Sequence, residues 1–144
     1  MYHTFIILYL LAMSMKCSCP DAGLLSVRLG LAAVFITHGA MKMANITGTM
    51  AMFGKMGMPA WLGVLVGAIE ILGGVSMLLG VYVKYAGYAL AAVMAGAILI
   101  IKWKSGFAGG WEFEFLLLAA SLGMAWTGAG KYAVNMPEKL PWKK

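Results

Sequence analysis

Five residues that could do chemistry lie within or at the ends of stretches of the sequence that are otherwise mostly apolar: Arg28, His38, Lys42, Glu70 and Glu112. A carboxyl group and an imidazole can accept and release protons, and a guanidinium or ammonium group can donate hydrogen bonds to an anion or a carbonyl oxygen. Placing a charge at the centre of a bilayer costs at least about 2.5 kcal/mol. If these stretches cross a membrane, each of the five residues therefore needs a structural or chemical reason to be there.

The composition of the chain indicates that these stretches do lie in a membrane. Of the 144 residues, 62% are hydrophobic and 11% are charged, whereas soluble domains are roughly half apolar and a quarter charged. A soluble fold of this length could not bury so much apolar surface. The net charge of +6 then favours contact with anionic lipid headgroups over binding to nucleic acid, because the basic residues flank apolar segments.

Four segments are long and apolar enough for spanning helices, each of which needs about 20 residues. They cover approximately residues 23–41, 60–83, 85–101 and 112–130. The predicted fold class is therefore all-α, a membrane-spanning four-helix bundle formed by residues 21–135. Residues 1–20 are predicted to be an N-terminal extension, either an interfacial helix or the result of a start codon assigned too early. Residues 136–144 are predicted to be a basic C-terminal tail.

The distribution of lysines predicts the orientation of this bundle. The ends that share a side with both termini carry Lys16, Lys84, Lys131, Lys139, Lys143 and Lys144, and the opposite ends carry Lys42, Lys55, Lys102 and Lys104. Because cytoplasmic loops are enriched in Lys and Arg, the pattern predicts a multi-pass protein of the cell membrane with both termini in the cytoplasm.

Glu70 lies near the middle of the second predicted span, and Gly63, Gly67 and Gly74 share its helical face. Small residues at this spacing indicate that a neighbouring helix backbone approaches closely, so Glu70 is predicted to face protein and not lipid. Arg28 in the first span is its natural partner, because a long guanidinium side chain can reach across about two helical turns. The pair is either a structural ion pair or a group that handles protons or binds a ligand.

His38 and Lys42 are one turn apart near the far end of the first span, and Glu112 begins the fourth span at the same membrane face. Together they are predicted to form a polar mouth on the non-cytoplasmic side, with ordinary interfacial polarity as the alternative. Histidine can exchange protons near neutral pH, so His38 and Glu70 are the candidate catalytic residues. Glu114 projects away from Glu112 and is predicted to be solvated. No histidine pair has metal-ligand spacing, so no metal site is predicted.

Five short motifs follow one another along the chain, and their order and spacing match the predicted helices. They are His38-Gly39-x-x-Lys42, Phe53-x-x-x-Gly57-x-Pro59, Glu70-x-x-Gly73-Gly74 with Gly80, Gly109-Gly110-x-Glu112, and Gly128-Ala129-Gly130-x-Tyr132. In this order the motifs resemble the DoxX family of small four-helix integral membrane proteins. The resemblance covers residues 21–135.

The resemblance implies a membrane subunit of a quinone-linked or thiol- or sulfur-related oxidoreductase system, such as thiosulfate:quinone oxidoreductase. A partner subunit or bound cofactor would supply the electrons, with quinone as the candidate cofactor. Two alternatives stay open: a membrane scaffold that recruits redox-defence enzymes, and a small proton-coupled transporter. The expected partners are the lipid bilayer, a partner oxidoreductase subunit or further copies of the chain, and not nucleic acid.

Overall fold

The computed structural model describes residues 20–134 of the chain. The predicted N-terminal extension, except for Pro20, and the predicted basic tail therefore lie outside the described residues.

Within residues 20–134 the chain is almost entirely helical and contains no β-strand. The α-helices are α1 (Pro20–Ala44), α2 (Ile46–Lys55), α3 (Trp61–Leu79), α4 (Val83–Gly96) and α5 (Glu112–Thr127). Helix α4 continues as a π-helical turn (Ala97–Lys102) and a 3-10 turn (Trp103–Ser105). A kinked connection (Phe107–Trp111), with non-helical backbone at Ala108 and Gly109, leads into α5.

The prediction of an all-α membrane protein is confirmed, but the number of helices differs from the prediction. In the described part of the chain, three helical stretches are long and apolar enough to cross a membrane: α1, α3 and Val83–Ser105. Helix α5 has 16 residues, which corresponds to about 24 Å at 1.5 Å per residue, less than the roughly 30 Å of a hydrocarbon core. The segment expected to connect the first two spans folds into α2 instead. Its start is capped by Asn45, whose side-chain oxygen accepts a hydrogen bond from the backbone N–H of Gly48 at 2.9 Å.

Glycines allow α1 and α3 to approach closely, as the sequence predicted. A Cβ atom added at Gly74 would lie 2.8 Å from Ile36 Cγ1 and 3.0 Å from the Ile36 backbone nitrogen. A Cβ at Gly67 would lie 3.1 Å from the Lys42 Cβ, and one at Gly39 would lie 2.8 Å from the Gly67 carbonyl oxygen. The two helices thus form one tightly packed unit, which we call the α1–α3 pair. The third predicted glycine, Gly63, faces α2, because its Cβ would meet Thr49 and Phe53.

Helices α4 and α5 form the second unit, the α4–α5 pair. They meet where Gly87 lies against α5: an added Cβ would be 2.6 Å from the Ser121 carbonyl oxygen and 3.0 Å from the Ala125 nitrogen. Apolar side chains from both pairs pack against one another and form the core. Its largest buried members include Leu31, Phe35, Met77, Leu90 and Met124.

Candidate functional site

A cavity of about 540 Å³ lies between the α1–α3 pair and the α4–α5 pair. It occupies the end of the bundle where α1 finishes and α5 begins, which we call the cavity end. All five helices contribute to its lining, and among residues 20–134 the lining side chains are apolar with five exceptions. These exceptions are His38, Lys42, Glu70, Lys102 and Glu114.

Lys42 and Glu70 form an ion pair in the wall of this cavity. The Lys42 Nζ atom lies 2.6 Å from Glu70 Oε2, and the side chains are 20% and 4% exposed. Gly67 lies one turn before Glu70 and against the Lys42 Cβ, so the absence of a side chain at this position lets the lysine stem pass along α3. The Lys42 carbonyl oxygen accepts a hydrogen bond from Thr49 Oγ1 at 3.0 Å. The buried charge of Glu70 is therefore compensated by Lys42, and the hydrogen bond from Thr49 fixes the backbone of Lys42.

The predicted pairing of Arg28 with Glu70 is wrong. Arg28 is 1% exposed and donates four hydrogen bonds to backbone carbonyl oxygens at the opposite end of the bundle, which we call the Arg28 end. The acceptors are Met77 at 2.8 Å, Leu78 at 3.0 Å, and Ala129 and Tyr132 at 2.9 Å each.

The end of α3 explains this choice of partners. The last carbonyl groups of a helix have no intrahelical hydrogen bond and carry partial negative charge. They lie beside Arg28, where Gly80 ends α3 with a positive φ of 75° and leaves room for the guanidinium. Arg28 thus joins α1, the end of α3 and the segment after α5, and it does not reach the cavity.

His38 lies one turn before Lys42 and lines the cavity, as expected from the sequence. Its side chain is exposed, and in the described part of the chain no hydrogen bond to it is found. Of the predicted set of polar residues, the structure therefore brings His38, Lys42 and Glu70 to one cavity.

The sequence analysis placed Glu112 at the site and Glu114 in solvent, and the structure shows the reverse. Glu112 is exposed and does not line the cavity, whereas Glu114 lines it and is 13% exposed. Glu114 Oε1 lies 2.6 Å from Lys102 Nζ. Residues two positions apart on a helix point in nearly opposite directions, so only one of the two carboxylates can face inward. The prediction that placed Glu112 at the site is wrong because it took the other face of α5.

Lys102 is the functional candidate that the sequence reasoning missed. It ends the π-helical turn Ala97–Lys102, and the wider i to i+5 hydrogen bonding changes the direction in which following side chains project. A signal was nevertheless present. Lys102 ends one span and Glu114 begins the next, so antiparallel packing brings opposite charges to the same depth.

Comparison with known proteins assigns the chain to a family. The DoxX family model matches residues 23–103. A protein of Bacillus subtilis (strain 168) named "Putative oxidoreductase CatD" is 35% identical over 115 residues, which cover 80% of this chain and 86% of that protein. The chain belongs to the DoxX family. No solved structure matches it.

The DoxX match contains most of the polar groups of the cavity. His38, Lys42, Glu70 and Lys102 all lie within residues 23–103, and Glu114 lies beyond them. In this DoxX protein the cavity offers apolar walls, ammonium donors and carboxylate acceptors. Such a site can enclose a small apolar molecule, orient its polar atoms and exchange protons with it.

Proposed function

We propose that this DoxX-family protein is a membrane component of an oxidoreductase system and that it binds a quinone in the cavity between the two helix pairs. The observation that carries the proposal is an apolar cavity of about 540 Å³ bordered by the Lys42–Glu70 pair and His38. Its volume falls within the range of about 300–1,000 Å³ that is typical of sites for small organic molecules. A relative named as an oxidoreductase supports the same class of function.

The residues present suit the chemistry of a quinone. Reduction of its two carbonyl groups to hydroxyl groups takes up two electrons and two protons. The Lys42 ammonium has three N–H donors, of which one is directed to Glu70, so another can be directed to a carbonyl oxygen. His38 and Glu70 are the groups that exchange protons with the ligand oxygens.

The electrons come from a partner in this proposal. A thiol- or sulfur-oxidising subunit on one face of the membrane would reduce the quinone held in the bundle. The predicted orientation, with both termini in the cytoplasm of a cell-membrane protein, places the cavity end on the non-cytoplasmic side. Identification of the proteins that copurify with the chain after gentle detergent extraction tests the need for a partner, and an oxidoreductase subunit is the expected result.

Quinone binding is tested directly with purified protein in lipid nanodiscs and a short-chain ubiquinone analogue, with the dissociation constant measured by equilibrium dialysis. We expect the unaltered protein to bind, and Glu70→Gln and His38→Gln each to weaken binding about tenfold, the equivalent of one lost hydrogen bond. Glu112→Gln is the matched control, because it makes the same chemical change on an exposed carboxylate outside the cavity.

His38→Gln keeps this test interpretable if Glu70→Gln disturbs the fold, because His38 is exposed and its replacement leaves no buried charge without a partner. Circular dichroism and gel filtration report whether each variant is folded. Folded, unaltered protein that binds no quinone analogue would refute the proposal. Equal affinities for the unaltered protein and both cavity variants would refute the assigned roles of Glu70 and His38.

A further inference from the structure

The second ion pair of the cavity, Lys102–Glu114, leaves one carboxylate oxygen without a hydrogen bond from the described residues. Glu114 Oε1 contacts Lys102 Nζ at 2.6 Å. Glu114 Oε2 is buried, and no hydrogen bond to it is found within residues 20–134. A buried acceptor without a hydrogen bond is destabilising, and each such group in a native structure calls for an explanation, of which a bound molecule is one.

The position of this pair relative to the first points to a ligand. Lys42–Glu70 belongs to the α1–α3 pair, whereas Lys102–Glu114 belongs to the α4–α5 pair, and both line the same cavity. A molecule held between the helix pairs thus has one charged pair available on each of the two sides. Lys102 stands at the end of a π-helical turn, a feature found frequently at functional sites.

The chemistry of the unpartnered oxygen selects the kind of group that can contact it. An ionised carboxylate only accepts hydrogen bonds, so its partner must be a donor. A quinone presents two carbonyl oxygens, which are acceptors, whereas the reduced hydroquinone presents two hydroxyl groups, which are donors. Rotation about the last side-chain bond of a glutamate has only broad preferences, so Glu114 can turn Oε2 toward a ligand at little cost.

We propose that Lys102–Glu114 is a second polar contact for the cavity ligand, and that Glu114 accepts a hydrogen bond from a hydroxyl group of the reduced form, the hydroquinone. This inference rests on the proposed function and adds a preference to it: the cavity binds hydroquinone more tightly than quinone. A tenfold preference raises the reduction potential of the bound two-electron couple by about 30 mV. The bound molecule thereby becomes a better electron acceptor from a partner.

The test compares the two redox forms of one ligand, decylubiquinol and decylubiquinone, by equilibrium dialysis against protein in nanodiscs. We expect the unaltered protein to bind the quinol about tenfold more tightly. In Lys102→Met/Glu114→Leu, which replaces both charges and leaves none without a partner, we expect the affinity for the quinol to fall about tenfold more than the affinity for the quinone, so that the preference is lost. Glu112→Gln, which alters the exposed neighbouring carboxylate, should keep the full preference.

The outcomes separate this inference from the proposed function. If the unaltered protein binds neither form, the proposed function fails. If it binds both forms equally, or if the double variant keeps the preference for the quinol, the role of Glu114 is refuted and a water molecule is sufficient to account for the buried oxygen. A folded double variant that loses the preference while it still binds the quinone supports the inference.

Discussion

The Arg28 end and the cavity end of the bundle both bury charged side chains, but they satisfy those charges differently. Arg28 is surrounded by four backbone carbonyl oxygens at 2.8–3.0 Å. The guanidinium is tightly packed, because a Cβ atom added at Gly80 would lie 2.5 Å from the Arg28 Nη2 atom. At the cavity end, lysines and glutamates pair with each other around about 540 Å³ of space.

This difference separates a structural role from a binding role. The guanidinium of Arg28 donates its hydrogen bonds to the backbone of two segments, the end of α3 and the segment after α5. It fixes both segments to α1, and few of its donors remain for a ligand. Side-chain pairs that border a cavity retain donors and acceptors that a ligand can use. The comparison therefore predicts that changes at the Arg28 end reduce stability most, and that changes at the cavity end mainly alter binding once their charge balance is kept.

The largest effect is expected for Arg28→Leu. A hydrogen bond to a charged group contributes about 1.5–3 kcal/mol, and Arg28 makes four. We therefore expect the free energy of unfolding to fall by at least about 5 kcal/mol, which is comparable to the whole stability of many domains. Denaturant titration in detergent micelles, followed by circular dichroism, measures this change.

Lys55→Met is the control for Arg28→Leu, because it also removes a positive charge but from an exposed position at the end of α2. It should change stability by less than about 0.5 kcal/mol. A stable, folded Arg28→Leu protein would show that the four carbonyl contacts do not hold the bundle together.

An intermediate effect is expected for the Lys42–Glu70 pair. Lys42→Met leaves Glu70 buried without its partner, and Glu70→Leu leaves Lys42 without its partner, so each change should cost about 3–5 kcal/mol. The double variant Lys42→Met/Glu70→Leu should recover most of this loss, because no isolated charge remains. A double-mutant cycle on the free energy of unfolding checks the recovery, and costs that simply add would contradict the ion pair.

The smallest effect is expected where α1 and α3 touch between the two ends. A Cβ at Gly39 would lie 2.8 Å from the Gly67 carbonyl oxygen and 3.0 Å from the Ile71 nitrogen, so Gly39→Ala must push the helices apart. We expect it to lower the free energy of unfolding by about 1–3 kcal/mol.

Gly30→Ala is the matched control for Gly39→Ala, because it lies on the same helix and its Cβ would have no neighbour within 4 Å. It should leave stability unchanged or raise it by up to about 1 kcal/mol through helix propensity. Equal effects of the two substitutions would show that the α1–α3 contact is not close at Gly39.

The features that depend on local pattern could be predicted from the sequence. The apolar segments predicted the three long spans to within a few residues but overstated the length of α5. Glycines that share a face with Glu70 indicated where another helix packs. The position of His38 and Lys42 on one face of α1 also followed from their spacing of one turn, and both line the cavity. In each case the helical period alone decides which residues lie together.

Which charged side chains pair with each other could not be predicted, because it depends on the depth of each helix in the bundle and on its rotation about its own axis. Arg28 and Lys42 lie on the same stripe of α1, and only packing decides which of them reaches Glu70. The acceptors of Arg28 at the end of α3 are backbone carbonyl oxygens, which every residue type has, so the residue types there do not indicate them. At the start of α5, only one of the two glutamates can face inward. The π-helical turn Ala97–Lys102 and the non-helical backbone at Ala108 and Gly109 set which one does, and a regular helical period describes neither.

The contacts of Arg28 also have a consequence for biosynthesis. Two of its carbonyl partners, Ala129 and Tyr132, stand 101 and 104 positions later in the chain. At about 5–20 residues per second, roughly 5–20 s pass between synthesis of the arginine and synthesis of these partners. During that interval Arg28 lacks two of its four acceptors. Its long side chain can then place the guanidinium near the headgroup layer. The complete set of Arg28 hydrogen bonds therefore cannot form before the segment that follows α5 has been synthesised.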